Sequence, residues 1–120
     1  SRKAKDMTHE LLLNSCDIGL STVILKRELI TNKIKFANIK TKEDYVLWLK
    51  ITCNDKKIFA LKNNLTKWRK LDDSLSSSGF QKLYDGYLVY RKYMNFNLLK
   101  SIIYLVLLSF NYFLKDIKNK

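Results

Sequence analysis

The chain has 120 residues, of which 47% are hydrophobic and 28% are charged, with no proline and only three glycines. This length suits one compact domain or part of a larger one, and the composition excludes an intrinsically disordered chain or a loop-rich all-β fold. The net charge of +12 favours an anionic partner, namely nucleic acid, an acidic membrane surface or a phosphorylated small molecule.

The cysteines indicate the redox compartment of the protein, and the first residues indicate how its N-terminus arises. Cys16 and Cys53 form no CxxC pair and predict neither a disulfide framework nor a zinc site, so we expect a reduced, cytosolic setting. The start of the chain is charged and lacks the apolar core of a signal peptide. Because the chain starts with Ser1, we expect a processed N-terminus or, in preference to that, a segment of a longer protein.

The first half of the chain mixes extended and helical patterns. The β-branched run "STVIL" at Ser21–Leu25 predicts a buried strand. A helix is predicted from about Lys42 to Thr52, with Thr41 as its N-cap. Glu43 and Asp44 then fall in its first turn, where the helix dipole favours negative charge.

The second half begins with an extended pattern and continues into two helices. The stretch "IFALKNNLTKWRK" at 58–70 predicts one or two strands around an Asn-Asn turn, and the serine-rich stretch 71–80 predicts a loop. A helix is predicted from Phe80 to about Tyr93, and the segment "MNFN" ends it. A last helix is predicted from near Leu98 to about Ile117.

The C-terminal segment 98–120 is the most apolar part of the chain, and its end is basic. Lys100, Ser109 and Asn111 interrupt its apolar core, which predicts a segment shorter than the roughly 20 residues that cross a bilayer. Two interpretations stay open. The helix packs on the domain or on a partner, or it lies in the interface of an anionic membrane.

Asp44 is the strongest candidate for chemistry. Four residues at spacings of three and four share one face of the predicted helix: Asp44, Leu47, Trp48 and Ile51. Because three of them are large and apolar, the carboxylate is expected to point inward, whereas Glu43 is expected to be solvated. A carboxylate at a helix N-terminus is held in its ionised form, which is the form a general base needs. The alternative is a capping-box-like pair of Thr41 and Asp44.

The remaining motifs have simpler interpretations. The adjacent carboxylates at 72–73 are expected to be solvated, because no third hard ligand stands nearby in the sequence. Arg69 could bind a phosphate or be a surface charge. Four tyrosines near basic residues are typical of nucleic-acid binding, but their spacing also fits a core-facing stripe: Tyr84, Tyr87, Tyr90 and Tyr93.

As an ordered set, these motifs resemble the C-terminal half of bacterial family 2 glycosyltransferases of the GT-A fold, over roughly residues 11–95. The stretches that carry the resemblance are "DIGLSTVILKREL", "KEDYVLWLK" and "LTKWRKLDDSLSSS", followed by a basic-aromatic helix. The resemblance implies an α/β fold class, with a partial GT-A-like mixed sheet flanked by helices. It implies an acceptor-side domain portion at 1–95, whose nucleotide-binding half is absent, followed by a basic amphipathic helix at 96–120.

The resemblance also implies roles for particular residues. Asp44 matches the catalytic base that deprotonates an acceptor hydroxyl, and Glu43 matches its motif companion. Four residues fall in positions that imply acceptor binding: Asp17, Ser21, Thr22 and Trp48. Four others match the donor or nucleotide loop: Trp68, Arg69, Ser74 and Ser76.

A divalent cofactor, Mg²⁺ or Mn²⁺, is implied for neutralising the departing diphosphate. No DxD motif occurs in this chain, and Leu71 stands where many members of the family have a metal-binding histidine. The metal is therefore expected to be bound mainly by the absent N-terminal half, with no metal ligand in this chain. The chain by itself is expected to be inactive.

The leading interpretation is a glycosyltransferase of cell-surface polysaccharide biosynthesis. Its implied partners are a nucleotide-sugar donor and a saccharide or lipid-linked acceptor, without nucleic acid. It would be cytoplasmic, with peripheral contact to the inner face of the cytoplasmic membrane through 98–120. The alternative is a non-enzymatic basic module that binds nucleic acid or an anionic membrane surface.

Overall fold

The computed structural model describes residues 4–67, 69 and 78–118. Four α-helices form the described architecture: α1 (His9–Asn14), α2 (Glu43–Thr52), α3 (Gly79–Leu88) and α4 (Leu98–Lys118). Two 3₁₀ turns lie at Leu20–Thr22 and Arg27–Leu29, and a π-helical turn at Val89–Tyr93 continues α3.

The expected mixed sheet is wrong for the described residues, which are helical and contain no strand. A single isolated β-bridge pairs Met7 with Ile58 through two backbone hydrogen bonds of 2.9 Å. The predicted strand at Ser21–Leu25 begins as a 3₁₀ turn, and Val23 then adopts an extended backbone. An extended segment becomes a strand only when a neighbour supplies hydrogen bonds, and the described residues supply none there.

The predicted strands within 58–70 are also absent where the structure describes the chain. Beyond the bridge at Ile58, residues 59–67 are irregular. Phe59 and Leu61 are exposed rather than packed on a neighbouring strand. Residues 68 and 70 lie outside the described residues, as does most of the predicted loop 71–80.

The predicted helices are confirmed, with small shifts at their ends. The second helix begins one residue later than expected and ends at Thr52. Its N-cap is Lys42, which adopts a left-handed backbone with φ of 64°, so the expectation of Thr41 as N-cap is wrong. The helix predicted from Phe80 corresponds to α3 with the π turn, and α4 matches the last predicted helix.

The core is centred on α2. Its residues Tyr45–Leu49 are at most 1% exposed, because a helix that is apolar on all sides must be covered on all sides. The partners that cover it are α1, the π turn and the loop segments that flank them. The predicted inward face is therefore only part of a fully enclosed surface.

The α1 helix runs antiparallel to α2. At one end, His9 Nδ1 lies 3.0 Å from the Thr52 hydroxyl. At the other end, the Tyr45 hydroxyl donates to the carbonyl of Leu12. The second contact involves a residue in the first turn of α2, so side chains link α1 to both ends of that helix.

The α3 and α4 helices form an antiparallel hairpin. The Lys82 ammonium lies 5.3 Å from the centre of the Tyr112 ring, and one turn later Gly86 lies beside Leu105. The contacts pair later residues of α3 with earlier residues of α4, so the two helices run in opposite directions. A Cβ at position 86 would lie 2.9 Å from Leu105 Cδ1, so glycine permits this close approach.

Candidate functional site at the start of α2

The Asp44 carboxylate lies in the first turn of α2, where the buried helix emerges from the core. The side chain is half-buried, and its Oδ1 accepts a hydrogen bond of 2.8 Å from the Tyr45 backbone N–H. Lys42 supplies no side-chain cap to this helix end. Asp44 is thus fixed on a rigid element with part of its carboxylate open to solvent, which is an arrangement suited to a reacting group.

The surroundings of Asp44 raise the pKa of its carboxyl above the ordinary value of 3.8. Burial is the largest cause, and the negative charge of Glu43 acts in the same direction, while the Tyr45 N–H and the Lys42 charge oppose both. The net direction is opposite to the one expected from the helix dipole alone. A carboxylate with a raised pKa is a stronger base, which favours proton abstraction.

Asp85 on α3 holds the residue that leads into α2. Its Oδ2 accepts hydrogen bonds from the Thr41 backbone N–H at 2.8 Å and from the Thr41 hydroxyl at 2.7 Å. Its Oδ1 accepts a hydrogen bond of 3.0 Å from Gln81 Nε2. The Thr41 hydroxyl therefore bonds to a different helix and does not form the capping-box pair with Asp44 that the spacing allowed.

Asp85 was not identified from the sequence, although it is only 2% exposed. The available signal was its position on the predicted helix, four residues before the buried Val89 and four after Gln81. That spacing places an acidic residue on the packed face of α3. A buried carboxylate must be supplied with donors, and these come from a segment more than forty residues away.

Trp48 lies one turn after Asp44 and is 1% exposed, which confirms that this face of the helix is internal. Its indole Nε1–H has no hydrogen-bond partner among the described residues. Buried indole N–H groups usually find an acceptor. Trp48 thus carries a buried indole N–H without a partner among the described residues, and its acceptor-binding role remains a prediction.

Asp17 is engaged by two lysines. Its carboxylate pairs with Lys5 at 3.3 Å and with Lys115 near the end of α4. Burial alone raises the pKa of Asp17, but the hydrogen bonds and charge of Lys115, helped by Ser15 and Lys5, lower it below 3.8 overall. No hydrogen bond or ion pair between described residues joins Asp17 to Asp44, so its acceptor-binding role stays a prediction.

The other predicted site residues are not brought to Asp44 by any hydrogen bond or ion pair within the described chain. Ser21 and Thr22 are exposed, and the Thr22 hydroxyl donates to the Gly19 carbonyl at 2.7 Å. Arg69 is exposed. Three residues predicted in the donor loop lie outside the described residues: Trp68, Ser74 and Ser76.

Two tyrosines form a buried pair behind the site. The hydroxyl oxygens of Tyr45 and Tyr90 lie 3.1 Å apart, and Tyr90 donates to the Leu13 carbonyl at 2.7 Å. Burial raises the pKa of both phenols above the ordinary value of 10.0, so neither hydroxyl acts as an acid or a base near neutral pH. Tyr90 is therefore a core residue, whereas Tyr84, on the same predicted stripe, is exposed.

The described residues do not fit the implied Mg²⁺ or Mn²⁺. Within the described ranges, no three His, Cys, Asp or Glu side chains come together as a possible metal site. Glu43 and Asp44 are adjacent in the sequence, but no third such side chain joins them in the part of the chain that the structure describes. The chemistry proposed below therefore assigns no metal to these residues.

Comparisons with known proteins give two related sequences. The chain is 26% identical over 97 residues to a Bacillus subtilis (strain 168) protein provisionally named as the teichuronic acid biosynthesis glycosyltransferase TuaG. It is 39% identical over 79 residues to the UDP-Glc:alpha-D-GlcNAc-diphosphoundecaprenol beta-1,3-glucosyltransferase WfgD of Escherichia coli. These matches cover 81% and 64% of this chain.

The matches span only part of each relative. They correspond to 38% of TuaG and 30% of WfgD. No protein-family model matches the chain, and no solved structure matches it either. The chain is therefore similar to about a third of two bacterial proteins that are named as glycosyltransferases.

Proposed function

We propose that this chain is part of a glycosyltransferase that moves a sugar from a nucleotide-sugar to a hydroxyl of a saccharide or lipid-linked acceptor. Two observations support this function together. The chain is similar to two proteins named as glycosyltransferases. At the start of its most deeply buried helix it presents a half-buried carboxylate, Asp44, whose pKa is raised.

In the proposed reaction, Asp44 is the general base. Its carboxylate takes the proton from the acceptor hydroxyl while that oxygen forms a bond to the anomeric carbon of the donor. The bond from the anomeric carbon to the diphosphate breaks, and the nucleoside diphosphate leaves with the bonding electron pair. The protonated Asp44 then releases its proton to solvent, which reaches the exposed part of the side chain.

The neighbours of Asp44 have positioning roles in this proposal. Asp85 accepts two hydrogen bonds from Thr41 and thereby positions the start of α2. It acts through Thr41 and does not contact the reacting atoms in this proposal. The predicted acceptor-binding role of Trp48 is not part of this proposal, because its side chain is 1% exposed and its indole N–H is buried. Glu43 holds negative charge next to Asp44, which raises the pKa of the base.

The names of the relatives suggest the class of acceptor. TuaG is named for teichuronic acid biosynthesis, and WfgD is named for transfer to a sugar on diphosphoundecaprenol. We extend this class to the present chain and place its product in cell-surface polysaccharide. Any divalent metal that assists the departing diphosphate would be held by residues beyond those described.

The test measures nucleoside diphosphate release by the full-length gene product that contains this chain, with a panel of nucleotide-sugars and Mn²⁺. The wild type is compared with Asp44→Asn and with the control Glu28→Gln, whose side chain is 77% exposed. We expect release with at least one donor, a loss of about 10²–10⁴-fold in Asp44→Asn, and no loss in the control.

Two results would contradict the proposal in different ways. Release from no donor, combined with salt-sensitive binding to nucleic acid, would favour the non-enzymatic basic module. Release that is equal in the wild type and in Asp44→Asn would leave a transferase but remove Asp44 as its base. Circular dichroism of each variant shows whether its fold is retained.

A further inference from the structure

The outward face of α4 is apolar along the whole length of the helix. Six exposed residues, spaced by three or four positions, form what we term the outer stripe: Leu99, Ile103, Val106, Phe110, Phe113 and Ile117. Each of them is between 49% and 69% exposed. At 1.5 Å per residue the helix is about 30 Å long, so the outer stripe is a continuous apolar surface rather than scattered side chains.

Three polar residues of α4 contact the protein on the side away from the outer stripe. Ser101 is fully buried, and its hydroxyl donates to the Asn97 carbonyl at 2.8 Å. Asn111 Nδ2 donates to the Asn14 carbonyl at 2.8 Å, and Lys115 pairs with Asp17. A helix on the surface of a protein surrounded by water normally has the reverse orientation, with its apolar face inward.

Charged groups flank the outer stripe without interrupting it. Lys100 lies over the Phe96 ring at 4.1 Å, at the start of the helix. Lys118 stands in the last turn of the helix. An apolar face bordered by lysines and aromatic rings is typical of helices that lie in the interface of an anionic membrane.

We propose that α4 docks the protein on an anionic phospholipid bilayer, with the outer stripe buried among the lipids and the helix axis parallel to the surface. The apolar face supplies burial, and the lysines beside it pair with lipid phosphates. The net charge of +12 attracts the chain to such a surface over longer distances. This inference does not depend on the transferase function.

Length alone also permits a transmembrane orientation. The helix has 21 residues and is long and apolar enough to cross a membrane, so the expectation of a segment too short to do so is wrong; only 11% of its most apolar part is buried. Its contacts with the domain oppose that orientation, because Asn111 bonds to Asn14 at the end of α1 and Lys115 pairs with Asp17 just after that helix. Crossing the bilayer would break these bonds and place both polar side chains in or near hydrocarbon.

Pairing with a second copy is the other way to cover the outer stripe. The stripe contains no polar residue that would set the register of two helices, and the helix carries three lysines, Lys100, Lys115 and Lys118, against one acidic residue, Asp116. Face-to-face pairing would therefore bring like charges together. An anionic bilayer complements these lysines, and for this reason we favour it over self-association.

The experiment measures co-sedimentation of the full-length gene product with vesicles of phosphatidylcholine, with and without phosphatidylglycerol. One double variant removes apolar side chains of the outer stripe, Val106→Ser with Phe110→Ser. A matched control removes apolar side chains elsewhere, Phe59→Ser with Leu61→Ser, which are 78% and 72% exposed. All four residues are exposed, so circular dichroism should show the same fold in both variants.

We expect the wild type and the control variant to sediment with the vesicles that contain phosphatidylglycerol. We expect the stripe variant to bind these vesicles at least about tenfold more weakly. We also expect an alkaline carbonate wash to release the bound protein. Three results would overturn the proposal. They are equal binding by the two double variants, retention after the wash, which indicates a spanning helix, and a lipid-free dimer that only the stripe variant disrupts.

Discussion

Thr41, just before α2, donates two hydrogen bonds to the Asp85 carboxylate on α3, from its backbone N–H at 2.8 Å and from its hydroxyl at 2.7 Å. This link ties the hairpin of α3 and α4 to the start of the central helix. It therefore determines where Asp44 sits relative to the rest of the domain, although neither partner takes part in the proposed chemistry.

Replacement of Asp85 by alanine should destabilise the fold. The Thr41 N–H and hydroxyl would then be buried without their acceptor, and the loss expected for such a change is about 3 kcal/mol of unfolding free energy. Asp85→Asn keeps one acceptor oxygen and should lose less. Urea denaturation followed by circular dichroism measures both, and a wild-type unfolding midpoint for Asp85→Ala would show that the link is not stabilising.

Replacement of Asp44 by asparagine should leave stability unchanged or slightly increased at neutral pH. The folded-state pKa of Asp44 is raised above 3.8, so its protonated form is favoured by folding and its ionised form is not. The stability that protonation provides is fully present below pH 3.8 and is lost as the pH rises through the folded pKa.

The Asp44→Asn variant cannot ionise at this position. It is therefore more stable than the wild type only at a pH above the folded-state pKa of Asp44. We expect roughly a few tenths of a kcal/mol at pH 7, because the half-exposed side chain is screened by solvent. Thermal melts at pH 3 and pH 7 check this. A variant that is clearly less stable than the wild type at pH 7 would mean that the ionised carboxylate is structural.

Replacement of Asp17 by asparagine should change the unfolding free energy with the opposite dependence on pH. Lys115 and Lys5 lower the folded-state pKa of Asp17 below 3.8. The stability that the ionised Asp17 provides is therefore present above pH 3.8 and is lost as the pH falls through the folded-state pKa. At pH 7 and low salt we expect a loss of about 0.5–1 kcal/mol, because both lysines are partly exposed.

The control for this ion pair is Glu28→Gln, since Glu28 makes only a 4.0 Å contact with Lys26 on the surface. That variant should match the wild type under all conditions. The stability lost in Asp17→Asn should shrink at high salt. A loss that persists unchanged at high salt, or at a pH well below 3.8, would contradict the electrostatic origin.

Replacement of Tyr90 by phenylalanine should be destabilising because the Leu13 carbonyl loses its donor inside the core. The expected loss is about 1–3 kcal/mol of unfolding free energy. Tyr84→Phe is the matched control, since Tyr84 is exposed on the same helix and should change stability little. Equal midpoints for the two variants in urea would contradict the proposed role of the buried hydroxyl.

The helices could be predicted from the sequence because their signals are local. The apolar run at 45–49, and the stop at 94–97 between two helical patterns, both lie within a few turns of the helices that they define. The strands predicted at 21–25 and 58–70 depended on distant partners. The described residues supply one bridge, between Met7 and Ile58, so the extended pattern alone was misleading.

The candidate site could be predicted only in part, for the same reason. The shared helix of Asp44 and Trp48 could be predicted because they lie one turn apart in the sequence, and their roles stay predictions. Asp85 was missed because its partner Thr41 is distant in the sequence. The orientation of α4 could not be predicted either, since periodicity reveals an amphipathic helix but not that Asn111 bonds inward to the end of α1.

The central claim is that Asp44 takes the proton from the acceptor, and the pH dependence of kcat/KM tests it most directly. If it does, the rate of the full-length gene product falls on the acidic side as Asp44 is protonated, with a midpoint above 3.8. Asp44→Asn should be slow at every pH and lack this acidic limb. An acidic limb of the same midpoint and depth in Asp44→Asn would contradict the claim.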